Sequence, residues 1–315
     1  MSLQSVFDRF RNGFAIAKSS FGVLRREKWL LVFPLLYGLV WMTGLVVLVA
    51  GLVAVLFGAT FGLALLEQVA GVSGGETMMT ILGVVVSFLV MFAATSVATF
   101  FSAALVHSVG TLFHDEPTSL RDGLAGAWES RRTILTWGVV GAVVGLIFQA
   151  LESQDGWGAQ LVRAIAGAAW FMMTFFIVPV IVFQNGGVRA SLRNSVSLFR
   201  DTWGEAGGIS LGVGLVTVSL GALVAAVGIG APLLLVANPG PVLVFTVVPT
   251  VVALGALVVV HIAATAIAKT ALYQYATDGE LPPEFDGIDP DRIVTRKRDS
   301  SALSGGPSGQ QPGQI

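Results

Sequence analysis

The chain has 315 residues, of which 54% are hydrophobic and 12% are charged, and its net charge is −1. A soluble domain carries about 25% charged residues, so this composition indicates an integral membrane protein, and the near-zero net charge gives no reason to expect nucleic acid as a partner. The sequence has no cysteine, which excludes disulfides, thiolate nucleophiles and cysteine-ligated metals.

Residues 1–29 predict an amphipathic helix. Aromatic side chains recur at helical spacing, as at Phe7, Phe10 and Phe14, and basic residues lie between them. Separate basic and aromatic faces suit a helix at the headgroup level of a membrane. They suit equally a helix that packs against this protein's own loops, and the sequence leaves both interpretations open.

Six long apolar stretches follow, and a span needs roughly 20 apolar residues to cross about 30 Å of hydrocarbon. They cover residues 30–57, 78–106, 134–150, 164–183, 209–235 and 242–268. Trp29, Trp137 and Trp203 stand near the start of the first, third and fifth stretches, where interfacial aromatic residues are expected. Pro179 and Pro249 predict kinks in the fourth and sixth.

The basic residues predict the orientation of the chain. Of the 18 Lys and Arg residues, all but Arg163 fall in segments on the same side of the six stretches. The positive-inside rule then places both termini in the cytoplasm, as expected for a multi-pass protein of the cell membrane. Residues 1–29 form the predicted cytoplasmic amphipathic segment and residues 30–280 the six-span domain. Residues 281–315 are acidic and then low in complexity, which predicts a disordered tail.

Three cytoplasmic segments share a layout. AIAKSSFGVLRREKW, SLRDGLAGAWESRRTILTW and ASLRNSVSLFRDTW each combine basic residues with a helix-compatible pattern, end on a tryptophan, and precede a pair of spans. The predicted fold is therefore an all-α integral membrane protein with six transmembrane helices, in which three repeats of a surface helix plus a hairpin are one interpretation. The other is that any six-span protein with basic inner loops has this layout.

Several stretches resemble one family in the same order along the chain. SSFGVLRREKWLLVFPLLYGL, FFSAALVHSV, AWFMMTFFIVPVIVFQNGG and ALYQYATDGELPPEFDGID resemble domain-of-unknown-function family 6159, which is common in haloarchaea. Gln184 departs from the family pattern, where an acidic residue often stands. The resemblance implies a six-span fold, a membrane location and an archaeal source, and it implies no activity.

Two sets of polar side chains lie within the spans, each on one helix face. The sets are His261, Thr265 and Lys269 on the sixth span, and Thr95, Thr99 and Ser102 on the second. Ionisable groups in a membrane are functional candidates, so the first set is a candidate proton or ion relay and the second a candidate polar pathway. The competing interpretation, which we favour, is that these side chains hydrogen-bond within or between helices, with Lys269 reaching the headgroups.

A weaker candidate site lies at the inner end of the second span. Imidazole and carboxylate groups can hold a divalent metal, and they occur here as His107, His114, Asp115 and Glu116. Their spacing matches no helix-borne metal motif, and Asp115-Glu116-Pro117 also suits a turn before the next helix. The sequence therefore predicts no catalytic residue and no cofactor.

Small residues predict helix packing in two spans. Gly44, Gly51 and Gly58 recur every seven residues, Gly62 extends the row, and Gly141 and Gly145 form a second pair. Small residues let helix backbones approach closely inside a membrane, where lipid provides no hydrophobic drive. We expect these glycines to face neighbouring helices.

These observations leave the biochemical role of the protein unknown. The favoured hypothesis is a non-enzymatic membrane protein that acts through contacts with lipids, with a membrane-protein partner or with a second copy of itself. The first alternative is a transporter or channel for an ion or small solute, and the second is a membrane enzyme acting on lipid headgroups.

Overall fold

The computed structural model describes residues 3–70, 75–154, 156–184, 186–236 and 239–285. Its helices are α1 (Leu3–Arg26), α2 (Val32–Ala70), α3 (Gly75–Leu112), α4 (Leu120–Glu129), α5 (Arg131–Glu152), α6 (Trp157–Thr174), α7 (Ile177–Gln184), α8 (Val188–Asp201), α9 (Trp203–Ala225), α10 (Ala231–Leu235) and α11 (Pro239–Asp278). Short 3₁₀ turns cover Lys28–Leu31 and Pro283–Phe285, and a π-helical turn covers Ala226–Gly230. Within these described ranges there is no strand.

The long helices have the length and apolar composition of membrane spans. Five such stretches occur among the described residues, namely Thr77–Leu112, Arg131–Glu152, Trp157–Gln184, Gly208–Leu235 and Gly240–Asp278. A shorter apolar stretch, Lys28–Gly44, begins the helical region that α2 continues to Ala70. The predicted all-α membrane architecture is confirmed.

Each amphipathic helix precedes one helical hairpin. The helix α1 precedes α2 and α3, α4 precedes α5 and the α6–α7 pair, and α8 precedes α9–α10 and α11. Moreover, α4 packs back on α3, α8 packs on α6 and α7, and α1 packs on α9 and α11. Each amphipathic helix thus contacts the hairpin before it, and α1 closes the ring by contacting the last hairpin. This order of elements agrees with one of the two interpretations that the sequence leaves open, namely three repeats of a surface helix plus a hairpin.

The second helices of the hairpins form the centre of the bundle. The helices α3, α7 and α11 contact one another, whereas α2, α5 and α9 lie outside them. Small and β-branched side chains such as Ala104, Val180 and Ala264 are completely buried where the three helices meet. Close packing of small residues is the usual way in which helices associate in a membrane.

The buried core lies at one end of the bundle, which we call the basic end because α1, α4 and α8 lie there. Val109, Phe113, Leu272 and Phe285 are buried at this end and belong to one cluster. At the opposite end, large apolar side chains are exposed on every long helix, as at Phe57 in α2. A helix that is apolar all round is stable when lipid covers it, so this distribution fits a membrane protein.

The helix α1 packs against its own bundle. Ile16, Ala17 and Val23 are buried on the side that faces α9 and α11, and Lys18 and Arg25 are exposed. The side chains of Phe7, Phe10 and Phe14, like that of Trp203, lie outside the part that the structure describes. Of the two interpretations open from the sequence, packing on the protein itself therefore accounts for the described side chains, and membrane contact by the exposed face stays a prediction.

The fourth span is broken rather than merely kinked. The helix α6 ends at Thr174 and α7 begins at Ile177, so the break lies four residues before Pro179. Proline has no N–H, so the i→i−4 bond that would cross this point is lost. The Phe176 N–H donates instead to Ser195 Oγ of α8 at 3.2 Å. Pro249, by contrast, lies inside an uninterrupted α11, where the sequence predicts a second kink.

The predicted packing glycines fall into two groups. A β-carbon at Gly141 would lie 2.5 Å from the Thr95 side chain, and one at Gly145 would lie 2.6 Å from Met91 Sδ, so α5 needs these glycines to approach α3. The α2 glycines differ, because β-carbons there would meet nothing within 4 Å: Gly44, Gly51, Gly58 and Gly62. Among the described residues, therefore, no side chain lies against this row of glycines, and packing of the row on a neighbouring helix stays a prediction.

The start of the predicted disordered tail is part of the folded core. Phe285 is fully buried in the 3₁₀ turn Pro283–Phe285, and its ring meets that of Phe113 edge-on at 5.7 Å. The predicted boundary at Leu281 therefore falls inside a docked segment, and residues 286–315 lie outside the described part of the chain.

Candidate functional site

The polar residues of the sixth span contact different neighbours. His261 Nδ1 lies 3.1 Å from Thr217 Oγ1 of α9, and that hydroxyl also donates to the Val213 carbonyl. Lys269 lies about two helical turns further along the same helix, with its Nζ 4.5 Å from the centroid of the Phe175 ring. Between them Thr265 is partly buried, and its hydroxyl has no hydrogen-bond partner among the described residues. These contacts connect α11 to α9 and to the break between α6 and α7, and among the described residues no hydrogen bond joins His261, Thr265 and Lys269 to one another.

The polar residues of the second span separate in the same way. Thr95 packs against Gly141 and lines a cavity toward α5, whereas Ser102 lines a cavity toward α2. Thr99 is buried between them. Thr95 and Ser102 therefore line two different cavities, and the three residues of the predicted polar face do not line one continuous pathway.

The two cavities occupy equivalent places in the first and second hairpins. One, of about 250 Å³, lies between α2, α3 and α11 and is lined on α3 by Ala98, Ser102 and Leu105. The other, of about 310 Å³, lies between α5, α6–α7 and α3 and is lined on the equivalent helix by Trp170, Thr174 and Ile177. Both sets have i, i+4, i+7 spacing with a hydroxyl in the middle, which supports the correspondence of the hairpins.

The four candidate metal ligands are not brought together. The His107 ring packs against Gly126 of α4, so closely that a β-carbon at Gly126 would overlap it. His114 Nδ1 lies 2.7 Å from the Gly110 carbonyl, and Asp115 and Glu116 occupy the exposed turn that follows α3. No group of three or more His, Asp or Glu side chains within the described residues is suited to a metal. The turn interpretation accounts for these residues.

The turn carboxylates line a pocket of about 370 Å³ at the basic end. Asp115, Glu116 and Glu284 contribute to it, together with Arg26 and Glu27 at the end of α1. The pocket lies where α1, the end of α3 and the docked segment after α11 meet, and its lining carries both positive and negative charges. Positions in α1 and after α11 are distant in sequence, so the pocket was not predicted.

An aromatic and basic pair lies on the outside of the basic end. Trp128 in α4 is 60% exposed, and the Arg131 guanidinium lies 5.4 Å from its ring centroid. Phe100 of α3 meets the same indole edge-on at 6.5 Å. An exposed tryptophan beside an arginine is the arrangement expected at headgroup depth. The sequence predicts Trp137 as an interfacial aromatic residue, but its side chain is buried and stacks on Trp170 at 5.5 Å between ring centroids.

The helix α8 has two sharply different faces. Ser191, Ser195 and Phe199 are buried against the bundle, at i, i+4, i+8 spacing. Exposed arginines line the other side, at Arg189, Arg193 and Arg200. Between the two faces, α8 and α6 enclose an open apolar groove of about 490 Å³, lined by Ala169, Met172, Met173, Val196, Phe199 and Arg200. The basic pattern of α8 was visible in the sequence, but the groove depends on α6 lying beside it.

The apolar spans, the helical bundle and its basic end define an all-α, multi-pass membrane protein. A family model described as a family of unknown function, DUF6159, matches residues 76–282, which is more than half of the chain. The chain therefore belongs to this family, as its sequence resemblance predicts, while the archaeal source stays a prediction. No curated protein and no solved structure matches the chain.

Proposed function

We propose that this protein is a non-enzymatic membrane protein that acts by binding anionic phospholipids around its basic end, in the cytoplasmic leaflet of the cell membrane. The observation that carries the proposal is the outer face of α8, where Arg189, Arg193 and Arg200 are all exposed. Within the described residues, no ion pair neutralises these three arginines. Each basic group near an anionic leaflet contributes on the order of 1 kcal/mol, so the row has a clear preference for anionic headgroups.

The pair formed by Trp128 and Arg131 supports the same depth for the basic end. An indole is favoured at the membrane interface because its ring is apolar and its N–H is polar. Arg131 keeps its charge outside while it covers the ring, and its Nη1 donates to the Trp128 carbonyl at 3.0 Å. Both features suit the zone between acyl chains and headgroups.

A transporter is the second candidate, because a broken span beside a charged residue is a feature of many transporter sites. Here the break between α6 and α7 lies beside Lys269. Lipid binding is favoured because the centre of the bundle, at Ala264 and Ile267, is fully packed. A cysteine at Thr265 separates the two functions: we expect it to resist a small hydrophilic thiol reagent in the reconstituted protein, and rapid labelling would favour a water-filled path.

The main test is lipid retention. The protein is reconstituted in nanodiscs of equal phosphatidylglycerol and phosphatidylcholine, released in the mass spectrometer, and its retained lipids are counted. We expect wild type to keep phosphatidylglycerol preferentially, and the triple variant R189Q/R193Q/R200Q to lose most of that preference. The matched control R163Q removes a charge at the other end of the bundle and should behave as wild type. Equal retention of both lipids by wild type would refute the proposal.

A further inference from the structure

The groove between α6 and α8 has the shape and chemistry of an acyl-chain site. Its volume of about 490 Å³ lies within the usual range of ligand pockets. Ala169, Met172 and Met173 form the α6 side, and Val196 and Phe199 form the α8 side. Methionine is unbranched and flexible, so two adjacent methionines can adjust to a chain of variable conformation.

The floor of the groove is rigid. The Phe199 ring meets Phe175 at 5.6 Å and Phe171 at 6.2 Å between centroids, both edge-on. Phe175 is fixed in turn by Phe176 and by the Lys269 ammonium over its ring. A preformed wall lowers the entropy cost of ordering a ligand against it. The open side of the groove faces outward, away from this aromatic cluster.

The groove lies at the depth where acyl chains meet headgroups. Along α6, the exposed side chains from residue 164 to residue 173 are all apolar, as at Ile165 and Met172. At the level of Phe175 the first charged groups occur, Lys269 beside its ring and Arg200 directly after Phe199. A chain lying along α6 would therefore place its phosphate next to the exposed Arg200 guanidinium.

We infer that this groove binds one acyl chain of an anionic phospholipid whose phosphate is held by Arg200. The inference rests on the proposed function and deepens it. Of the many anionic lipids that α8 could attract, it assigns one to a defined binding site. Charge complementarity selects the occupant: a guanidinium binds a phosphate by two parallel hydrogen bonds, and an apolar trough ends beside it. Arg189 and Arg193 lie farther along α8 and do not line the groove.

The experiment uses the full chain in phosphatidylglycerol and phosphatidylcholine nanodiscs, with native mass spectrometry to follow the most tightly held lipid. We expect R200Q to weaken retention of that phosphatidylglycerol about fivefold, as expected for one basic group, and R200K to restore most of it. A169W should abolish retention by filling the groove. The control A168W places the same bulk on the exposed neighbouring residue and should leave retention unchanged.

Each outcome decides between the alternatives. If A169W and R200Q keep the tightly held phosphatidylglycerol while R189Q/R193Q/R200Q loses the overall preference, the groove assignment is wrong and the proposed function stands. If A169W changes the oligomeric mass instead of the lipid count, the groove is a protein interface and the inference is overturned. A thermal melt of each variant identifies any that fails to fold, and the conservative V196I variant, which fills the groove partially, should then give an intermediate loss of retention.

Discussion

The surroundings of single glycines differ in this protein, so the same glycine-to-leucine substitution should have different effects on stability at different positions. G141L would drive a side chain into Thr95, because even a β-carbon there would lie 2.5 Å away. Overpacking of this kind costs about 1–3 kcal/mol. G51L meets open space in α2 and replaces glycine with a better helix former. We expect G141L to lower the melting temperature in detergent by several degrees and G51L to leave it nearly unchanged.

The α2 glycines provide a second outcome for the same measurement. If G51L destabilises the protein as much as G141L does, the row that includes Gly44 and Gly58 packs against another molecule. A concentration-dependent melting temperature for wild type would then accompany the result, because association with a second copy depends on concentration.

The carboxyl group of Asp122 should make the stability of the protein depend on pH. Its carboxylate accepts the Ser119 hydroxyl at 2.6 Å and the Ser119 N–H at 3.0 Å, which closes a capping box at the start of α4. The side-chain hydrogen bond from Ser119 lowers the pKa of Asp122, with smaller contributions from the Ser119 backbone, Arg121 and His107. A lowered pKa means that the charged form is favoured by folding, so the stabilisation is present at neutral pH and is lost as pH falls through the folded pKa.

The corresponding prediction compares wild type with D122N in pH-dependent thermal melts. D122N should be less stable at pH 7, and the difference should shrink as pH falls below the ordinary aspartate pKa of 3.8. A difference between wild type and D122N that is independent of pH would refute the assignment.

The break between α6 and α7 depends on a side chain from another helix. The buried Phe176 N–H has Ser195 Oγ as its partner, and removal of that partner leaves a donor unsatisfied. Such a loss costs about 1–3 kcal/mol. We expect S195A to lower the melting temperature, whereas S197A, on the exposed side of the same helix, should not. Equal melting temperatures for both variants would show that the break is stabilised in another way.

The contact between α9 and α11 tests whether His261 is structural. Thr217 Oγ1 and His261 Nδ1 lie 3.1 Å apart, and hydrogen bonds between membrane helices average about 0.6 kcal/mol in double-mutant cycles. A cycle built from T217V and H261F, followed by unfolding in mixed micelles, should give a favourable coupling of that order. If the coupling free energy is zero and both single variants are stable, His261 has no structural role in this contact and becomes a candidate functional residue again.

At the scale of the whole molecule, the orientation of the bundle in the membrane is a prediction that single cysteines can test. The chain has no native cysteine, so single cysteines report location without interference. Ser197 is exposed on α8 at the basic end, and Ser153 is exposed in the turn after α5 at the other end. We expect an impermeant maleimide to label S153C in intact cells and S197C only after lysis. The opposite pattern would reverse the predicted orientation.

The sequence alone determined the class of this protein and the order of its parts. Long apolar runs can be stable only where lipid covers them, so composition predicted the spans. The alternation of basic segments with spans made three repeats of a surface helix plus a hairpin one of two interpretations. The ends of the predicted spans do not mark the ends of the helices. The helix α3 continues from its predicted end at 106 to Leu112, and α11 continues from 268 to Asp278, because their last turns are covered by other parts of the protein rather than by lipid.

The tertiary structure decided everything that depends on which helices are neighbours. Ser195 supports the break at Phe176, Gly141 receives Thr95, and Phe285 fills the core beside Phe113, although each pair is far apart in sequence. The groove beside Arg200 exists for the same reason, since its walls come from two helices. Periodicity shows which side of a helix is apolar, but it carries no information about the partner, because lipid and a neighbouring helix are almost equally apolar.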